Sequence, residues 1–309
     1  GPSDMIAQLP IAALAKALPS LPPLRGVEPV SLRTLEQRLL NARVPDAVLS
    51  PLVWRNGDAF ADEDEVIVEV PIALVYNGIS HAVMMATPGD LEDLALGFSL
   101  SEGLLESAVQ LHGLEVTERE AGIEIDMQIA SVAFAALKAR RRSLSGRTGC
   151  GLCGEESLRQ LRLTPRPVGG TLQVGNGALQ HALGELAGEQ GLKARTGGVH
   201  GAAWCSPDGR ILLTREDVGR HHALDKVLGA LARRGETGPG FVLVSSRASF
   251  EMVAKAGNCG VEMLAAVSAP TGLAVQYAEQ AGMTLVAFLQ PGRHVIYTGA
   301  KRIADQGTP

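Results

Sequence analysis

The sequence predicts an α/β protein built in two unequal parts, and three observations carry that reading. β-rich runs broken by Asn77-Gly78 dominate the stretch before residue 131, and beyond about residue 171 strand-like and helix-like segments alternate. Between them, residues 146–170 are rich in glycine and proline. Strands alternating with helices at short spacing imply a central sheet covered on both faces.

Taken in order, residues 1–60 read as a loosely attached leader. Gly1-Pro2 has the look of a cleaved tag scar covering residues 1–4, with Met5 as the native start. Prolines 10, 19, 22, 23 and 29 leave one helical pattern, "SLRTLEQRLLNAR" from Ser31 to Arg43. A small α/β domain is expected over 61–145. Its "VIVEVPIALVYNGISHAVMMA" reads as an antiparallel hairpin, because Asn-Gly adopts the positive φ angles of a tight turn. Thr87-Pro88 starts a helix with Asp90 and Glu92 in its first turn and Leu91, Leu94, Ala95 and Phe98 at helical spacing. Strands "GLEVTE" and "GIEIDMQIA" and the helix "SVAFAALKARRRSL" complete this part.

Residues 146–170 form the expected linker, and 171–305 a larger α/β domain. There "NGALQHALGELAGEQ" is helical, "VHGAAWC" and "RILLTR" are strands joined by "SPDG", and "HHALDKVLGALARR" is helical. Strand "FVLVSS", helix "FEMVAKAG", strand "LAAVSA", helix "TGLAVQYAEQAG" and strands "TLVAFLQ" and "HVIYTG" follow.

Composition narrows the function classes. The 309-residue chain carries a net charge of −5 and 4% aromatic residues, which counts against nucleic-acid binding. Four cysteines are too few for a disulfide framework, and no signal-like segment opens the chain, so a cytoplasmic setting is expected. The longest uncharged apolar stretch, Met263 to Ala278, is shorter than the roughly 18 residues of a membrane span and contains Pro270 and Gly272.

Two thiols stand out. In "SGRTGCGLCG", Cys150 and Cys153 form a Cys-x-x-Cys pair among glycines, just after Lys138, Arg140, Arg141, Arg142 and Arg147. That basic run opposes the chain's overall charge and favours thiolate over thiol; alone it is also what a solvated helix C-terminus looks like. A structural zinc site wants four ligands, yet Cys205 and Cys259 are isolated. A thioredoxin-like motif wants a strand before the first cysteine and a helix after it, whereas this pair follows a helix. Inert core thiols want apolar neighbours, which Arg147, Thr148 and the glycines are not. A thiol arm that accepts a group at one place and delivers it at another fits the glycines best, and persulfide sulfur transfer is the chemistry suited to it.

The second concentration of functional residue types is "TREDVGRHHALDK", with Asp217, Arg220 and His221 at a strand end and helix start. Ser246 and Arg247 in "VSSRAS" precede another helix, "VSAPTG" a third, and in "FLQPGR" Gly292 allows close backbone approach while Arg293 offers a bidentate donor. Together these point to a nucleotide-like anion, although each alone reads equally as a turn or a cap. No Walker A or Gly-x-Gly-x-x-Gly sequence is present.

These strings, with "YNGISHAVMMATPGDLEDLALGFSLSEG", "EDVGRHHALDK", "VSSRASFEMVAKAGNCGVE" and "PGRHVIYT" in order, resemble the FdhD family of formate dehydrogenase accessory sulfurtransferases over about Val66 to Arg302. The resemblance implies a sulfur carrier that takes persulfide sulfur from a cysteine desulfurase. The sulfur passes to the bis(molybdopterin guanine dinucleotide) molybdenum cofactor before insertion into the formate dehydrogenase catalytic subunit. It implies Cys150 as the persulfide bearer with Cys153 as partner, and Phe288, Leu289, Gln290, Pro291, Gly292 and Arg293 as a cofactor-binding stretch, with GDP as a partial mimic. It also implies a three-layer, cytidine-deaminase-like larger domain and a homodimer. The deaminase zinc signature is missing, since His221-His222-Ala223 lacks its glutamate and no cysteine pair follows. A non-catalytic cofactor-binding chaperone is the alternative reading.

Overall fold

The computed structural model describes residues 45–145, 165–235 and 238–305. The helical pattern at 31–43 and both Cys150 and Cys153 lie outside the described residues. Two sheets organise the rest. The first has the order β6-β5-β8-β7, made from β5 (Val70–Tyr76), β6 (Ile79–Ala86), β7 (Leu111–Arg119) and β8 (Gly122–Ile129). The expected hairpin is present, with Tyr76 paired to Ile79 and Asn77 and Gly78 at φ 46° and 80°. Asn77 also fastens the turn to β8: its side-chain amide donates to the Ile129 carbonyl and its oxygen accepts from the Ile129 amide.

Upstream, the chain is more ordered than the leader reading implied. β1 (Asp46–Leu49) pairs with β4 (Asp64–Ile67), and β2 (Leu52–Arg55) with β3 (Asp58–Ala61). The strands are four residues each, β2 and β3 largely exposed and β1 and β4 mostly half-buried, so they lack the long alternating pattern by which a strand is recognised in sequence.

Helix α1 (Leu91–Ser101) and helix α2 (Ser131–Ser145) pack on the inner face of this sheet. α1 begins later than Thr87-Pro88 suggests: Asp90, at φ 49°, is its N-cap and Glu92 and Asp93 form the acidic first turn.

The second sheet has six strands in the order β10-β9-β11-β12-β13-β14, made from β9 (His200–Cys205), β10 (Ile211–Asp217), β11 (Phe241–Val244), β12 (Met263–Ala266), β13 (Thr284–Gln290) and β14 (Arg293–Thr298). β11, β12 and β13 are parallel neighbours, and the outer pairings are antiparallel. Both faces are covered. Helices α5 (Arg220–Arg234), α6 (Phe250–Asn258) and α7 (Gly272–Ala281) bury one face, with Ala202, Val242, Val244, Leu264 and Leu285 beneath them. Helix α3 (Asn176–Glu189) covers Ala203, Phe241, Leu243, Met263 and Val286 on the other. The short α4 (Gly191–Thr196), not expected from sequence, follows; Glu216 accepts from the amides of Leu192 and Lys193 in its first turn. No helix among the described residues is long and apolar enough to cross a membrane.

The two sheets are joined through α1 and α5. Their backbones touch at Gly97 and Gly229, where a Cβ would lie 1.7 Å from the Asp225 carbonyl oxygen and 1.8 Å from that of Asp93. Charged groups seal the contact. Lys255 donates to buried Asp225 at 2.9 Å and pairs with Glu102, while Asp93 accepts from both Arg215 and Arg233.

Candidate functional site

β10 and β11 are both antiparallel to β9 and therefore run the same way, so the C-terminal ends of β10, β11, β12 and β13 fall on one edge of the sheet. β9 begins there with His200, β14 with Arg293, and α5, α6 and α7 start there. Open α/β sheets bind ligands at this position, because strand ends and helix N-termini leave unpaired main-chain groups. The topology thus gathers Asp217, Arg220, His221, Ser246, Arg247 and the 288–293 stretch, which lie far apart in sequence.

The loop into α5 is clamped from below. Asp217 is fully buried; its oxygens accept from the amides of Thr87 and Gly219, and Lys226 pairs with it at 2.9 Å. Thr87 returns the contact, its hydroxyl accepting from the Val218 amide and its carbonyl from Lys226. Asp217 was expected to meet a ligand; its side chain instead holds the loop, because both oxygens are spent on protein.

Above this clamp the donors are less committed. Gly219 caps α5 without a side chain, and Ser249 caps α6 with its hydroxyl unused. Arg220 Nε, His222 Nδ1 and the Ser249 hydroxyl are buried with no hydrogen-bond partner among the described residues. Two uncapped helix N-termini and three unused polar atoms at one edge form an anion-binding arrangement. His221 is paired with Glu251 at 2.7 Å, and burial lowers the pKa of both His221 and His222, keeping the rings neutral. α7 differs: the Thr271 hydroxyl accepts from the Ala274 amide.

The 288–293 stretch forms the end of the β13–β14 hairpin. A register shift between Ala287 and Gln290 is accompanied by Phe288 at φ 48°, a left-handed conformation that non-glycine residues rarely adopt. The Phe288 amide donates to the Ser268 carbonyl at 3.0 Å, tying the bulge to the end of β12. The bulge turns Leu289 into the core, where it is fully buried, so its side chain meets protein rather than ligand. Gln290, Pro291, Gly292 and Arg293 are exposed. The Gly292 amide, expected to be open to a phosphate, donates to Gln180 at 2.9 Å. Gln180 contacts His294, which contacts Asn176, a relay that sequence spacing does not reveal. His200 was likewise missed; nothing in "VHGAAWC" separates a strand-end histidine from any other.

A separate cleft of about 820 Å³ opens at the opposite edge of the sheet, beside Trp204, Gly240 and Glu262, with Arg166, Asn258 and Cys259 in its wall. Burial pushes the Cys259 thiol up to about 12, so it is inert near neutral pH. Cys205 is also buried, within the hydrophobic core beneath α3, and burial raises its pKa. The basic run is partly visible on α2: Arg140 donates to the Glu102 carbonyl, and burial, with Arg140 and Arg141 beside it, lowers the His81 pKa. No group of three or more His, Cys, Asp or Glu among the described residues is placed to hold a metal ion.

Comparison with known proteins agrees with this layout. The chain is 54% identical over 256 residues to the sulfur carrier protein FdhD of Cupriavidus necator, covering 82% of this chain and 89% of that protein. It is 54% identical over 248 residues to the sulfur carrier protein FdhD of Variovorax paradoxus, covering 79% and 88%. The crystal structure of a protein from Desulfotalea psychrophila, assigned as a formate dehydrogenase accessory protein, superposes with a TM-score of 0.67 at 22% identity, covering 84% of this chain and all of that one. At that identity the likeness shows the fold. Residues 67–304 match the FdhD/NarQ family, and with relatives this similar over four-fifths of its length the chain belongs to that family.

Proposed function

We propose that the protein is a sulfur carrier for formate dehydrogenase maturation, with Cys150 as the atom-bearing thiol and the strand-end site as the seat of the cofactor's guanine nucleotide ends. The observation that carries the reading is the family match across 67–304, which runs through the Cys-x-x-Cys pair, together with 54% identity to sulfur carrier proteins.

In this reading the Cys150 thiolate attacks the outer sulfur of a persulfide on a cysteine desulfurase. A new sulfur–sulfur bond forms at Cys150, and the donor leaves as its thiolate. Delivery reverses the step: the outer sulfur passes to an acceptor, and Cys150 is released as thiolate. Alternatively, the Cys153 thiolate attacks the inner sulfur, so that both thiols are oxidised to a disulfide while the outer sulfur leaves as hydrosulfide. Arginines upstream favour the thiolate at each stage.

The bis(molybdopterin guanine dinucleotide) cofactor supplies the metal centre that takes the sulfur. This chain's residues fit its charged ends: the uncapped starts of α5 and α6 and the unused Arg220 Nε, His222 Nδ1 and Ser249 hydroxyl suit phosphate oxygens, with exposed Arg247 and Arg293 at the rim. The order β10-β9-β11-β12-β13-β14 with helices on both faces is consistent with a cytidine-deaminase-like larger domain at 171–305, following a small domain at 61–145 and the thiol segment at 146–170. A cytoplasmic homodimer that meets both the desulfurase and the formate dehydrogenase catalytic subunit completes the reading.

The test is incubation with a cysteine desulfurase and cysteine, followed by peptide mass spectrometry. The Cys150 peptide is expected to gain one sulfur atom, and Cys150→Ala to lose the label. Equal labelling of Cys150→Ala would refute the assignment and favour a chaperone without thiol chemistry.

A further inference from the structure

The two large sheets end in β6 and β7 and in β10 and β14, and an edge strand is a template for pairing unless its sequence blocks it. β7, β10 and β14 are blocked by charge, with Glu115 and Arg119 on the first, Arg215 and Glu216 on the second and Arg293 on the third. β6 reads ISHAVMMA and has no proline, acid, lysine or arginine. Tyr76 and Ile79 close the two-residue turn as a bonded pair, and bonded rungs alternate along an antiparallel ladder, so Leu74, Ile72 and Val70 continue them to Ala82, Met84 and Ala86. Val83 and Met85 therefore turn their amides and carbonyls away from the sheet. The far side of β5 agrees: the Asn77 amide donates to Met127 of β8, and a Cβ at Gly122 of β8 would run into the Pro71 carbonyl oxygen, so the odd-numbered positions of β5 face β8. Among the described residues no main-chain bond reaches outward from Val83 or Met85, and their side chains are 66% and 46% exposed. The register shift of this ladder lies at His81, beside the turn, and Ala82–Ala86 pairs regularly over about 17 Å.

The inner side of this edge is basic. The His81 ring packs on Tyr76 and Phe98, and Arg140 and Arg141 of α2 stand beside it, adding to the effect of burial in lowering its pKa. Both arginines are exposed, and neither is paired with a carboxylate among the described residues. A strand laid against β6 would present its side chains alternately to two surfaces, apolar Val83 and Met85 on the outer side and the two guanidinium groups on the inner. A second copy of β6 does not answer that pattern: two-fold pairing sets the Arg140 and Arg141 of both copies on one side of the seam, and β6 brings no carboxylate to separate them. An extended segment with alternating apolar and acidic residues does. α2 runs on to Ser145, five positions before Cys150, so a protein held here stands beside the helix that leads to the thiol pair.

We propose that β6 is a docking edge for an extended segment of a partner protein in which apolar and acidic residues alternate, the apolar ones on Val83 and Met85 and the acidic ones on Arg140 and Arg141. Pairing at Val83 and Met85 closes about four main-chain hydrogen bonds, and the alternation supplies the specificity. The proposal rests on the sheet edge and α2, not on the sulfur chemistry.

The probe is a fluorescein-labelled peptide of about eight residues alternating valine and glutamate, titrated with the full chain and followed by fluorescence polarisation. Saturable binding is expected. Val83→Pro removes an amide that the fold does not bond, and should weaken binding about tenfold with little change in urea unfolding. Arg140→Glu/Arg141→Glu should weaken it about tenfold and reverse the preference, so that a peptide with lysine in place of glutamate binds better. Val132→Lys, exposed at the start of α2, should change nothing. No binding by about 1 mM chain, equal binding of the lysine peptide to the native chain, or a dimer of this chain that Val83→Pro dissolves would overturn the proposal. No desulfurase or cofactor is present in the titration, so each of those results leaves the sulfur-carrier reading standing.

Discussion

Replacing Gly97 with alanine tests how the two sheets are held together. Its Cβ would lie 1.7 Å from the Asp225 carbonyl oxygen and 2.8 Å from the Gly229 amide nitrogen, and both obstacles are helix backbone. Carbon and carbonyl oxygen approach to about 3.3 Å, so α1 and α5 would have to separate by about 1.5 Å. Side-chain rotation cannot relieve that. Overpacking of this kind costs about 1–3 kcal/mol. Separation also stretches the bonds from Ser101 to Asp225, from Asn258 to the Ser101 carbonyl and from Arg233 to Asp93, each worth about 1 kcal/mol or more. Alanine's higher helix propensity returns about 1 kcal/mol. The expected net loss is about 2–4 kcal/mol in urea unfolding followed by circular dichroism, with the denaturant slope unchanged. Gly229→Ala should cost a similar amount, because its Cβ meets the Asp93 carbonyl at 1.8 Å. The double variant should lose about 1 kcal/mol less than the sum, since helices already apart accommodate the second methyl. Single losses below about 1 kcal/mol, or strict additivity, would refute the backbone-contact reasoning.

Arg293→Ala should weaken GDP binding about tenfold in a calorimetric titration by removing one charge-assisted contact of about 1.4 kcal/mol, while unfolding stability stays unchanged because the side chain is exposed; unchanged affinity would remove Arg293 from the nucleotide site. Lys255→Met should destabilise by about 3–5 kcal/mol, because Asp225 would be left buried without its cation, and Asp225→Leu/Lys255→Met should recover most of that loss in chemical denaturation. Stability should fall as pH drops from 6.5 towards 5. Burial holds His81, His200 and His222 below their ordinary value of 6.5, so the unfolded chain takes up protons that the folded chain refuses. His222→Gln should flatten that slope, and an unchanged slope would show that its ring is not kept neutral by the fold.

Legibility in the sequence followed the strength of local patterns. The Asn77-Gly78 hairpin and the strand and helix alternation after residue 171 were readable because turn chemistry and hydrophobic period are local properties. The strands at 46–67 were not, since strands of four residues are too short to carry a period. The start of α1 was misread by a few residues because Thr87-Pro88 has the composition of a helix start, yet Thr87 is taken up by Asp217, Val218 and Lys226, 130 residues or more away. The candidate site shows the same limit. Residue types at 217–221, 246–247 and 288–293 announced anion chemistry, but only the pairing of β9 between β10 and β11 brings them to one edge.

That pairing also sorts the candidates by role. Where a strand end is deeply covered, as at Asp217 and Leu289, the side chain is committed to protein and serves by fixing the backbone. Where a helix begins without a cap, as at Gly219 and Ser249, main-chain donors and nearby side chains are left over, and those can meet a ligand. A motif-level reading cannot separate the two, because Asp217 and Arg220 sit three positions apart in one string. The fold separates them by direction: Asp217 turns down onto Lys226, while Arg220 opens the helix whose N-terminus faces the strand ends. An engineered cap tests that distinction. Gly219→Asp would place a carboxylate over the α5 N-terminus, where it both bonds a free amide and repels a phosphate. Its Cβ would lie 2.7 Å from His222 Cδ2, so the His222 ring must swing aside as well; it should weaken GDP binding at a modest cost in stability, whereas substitution at Asp217 should cost stability first.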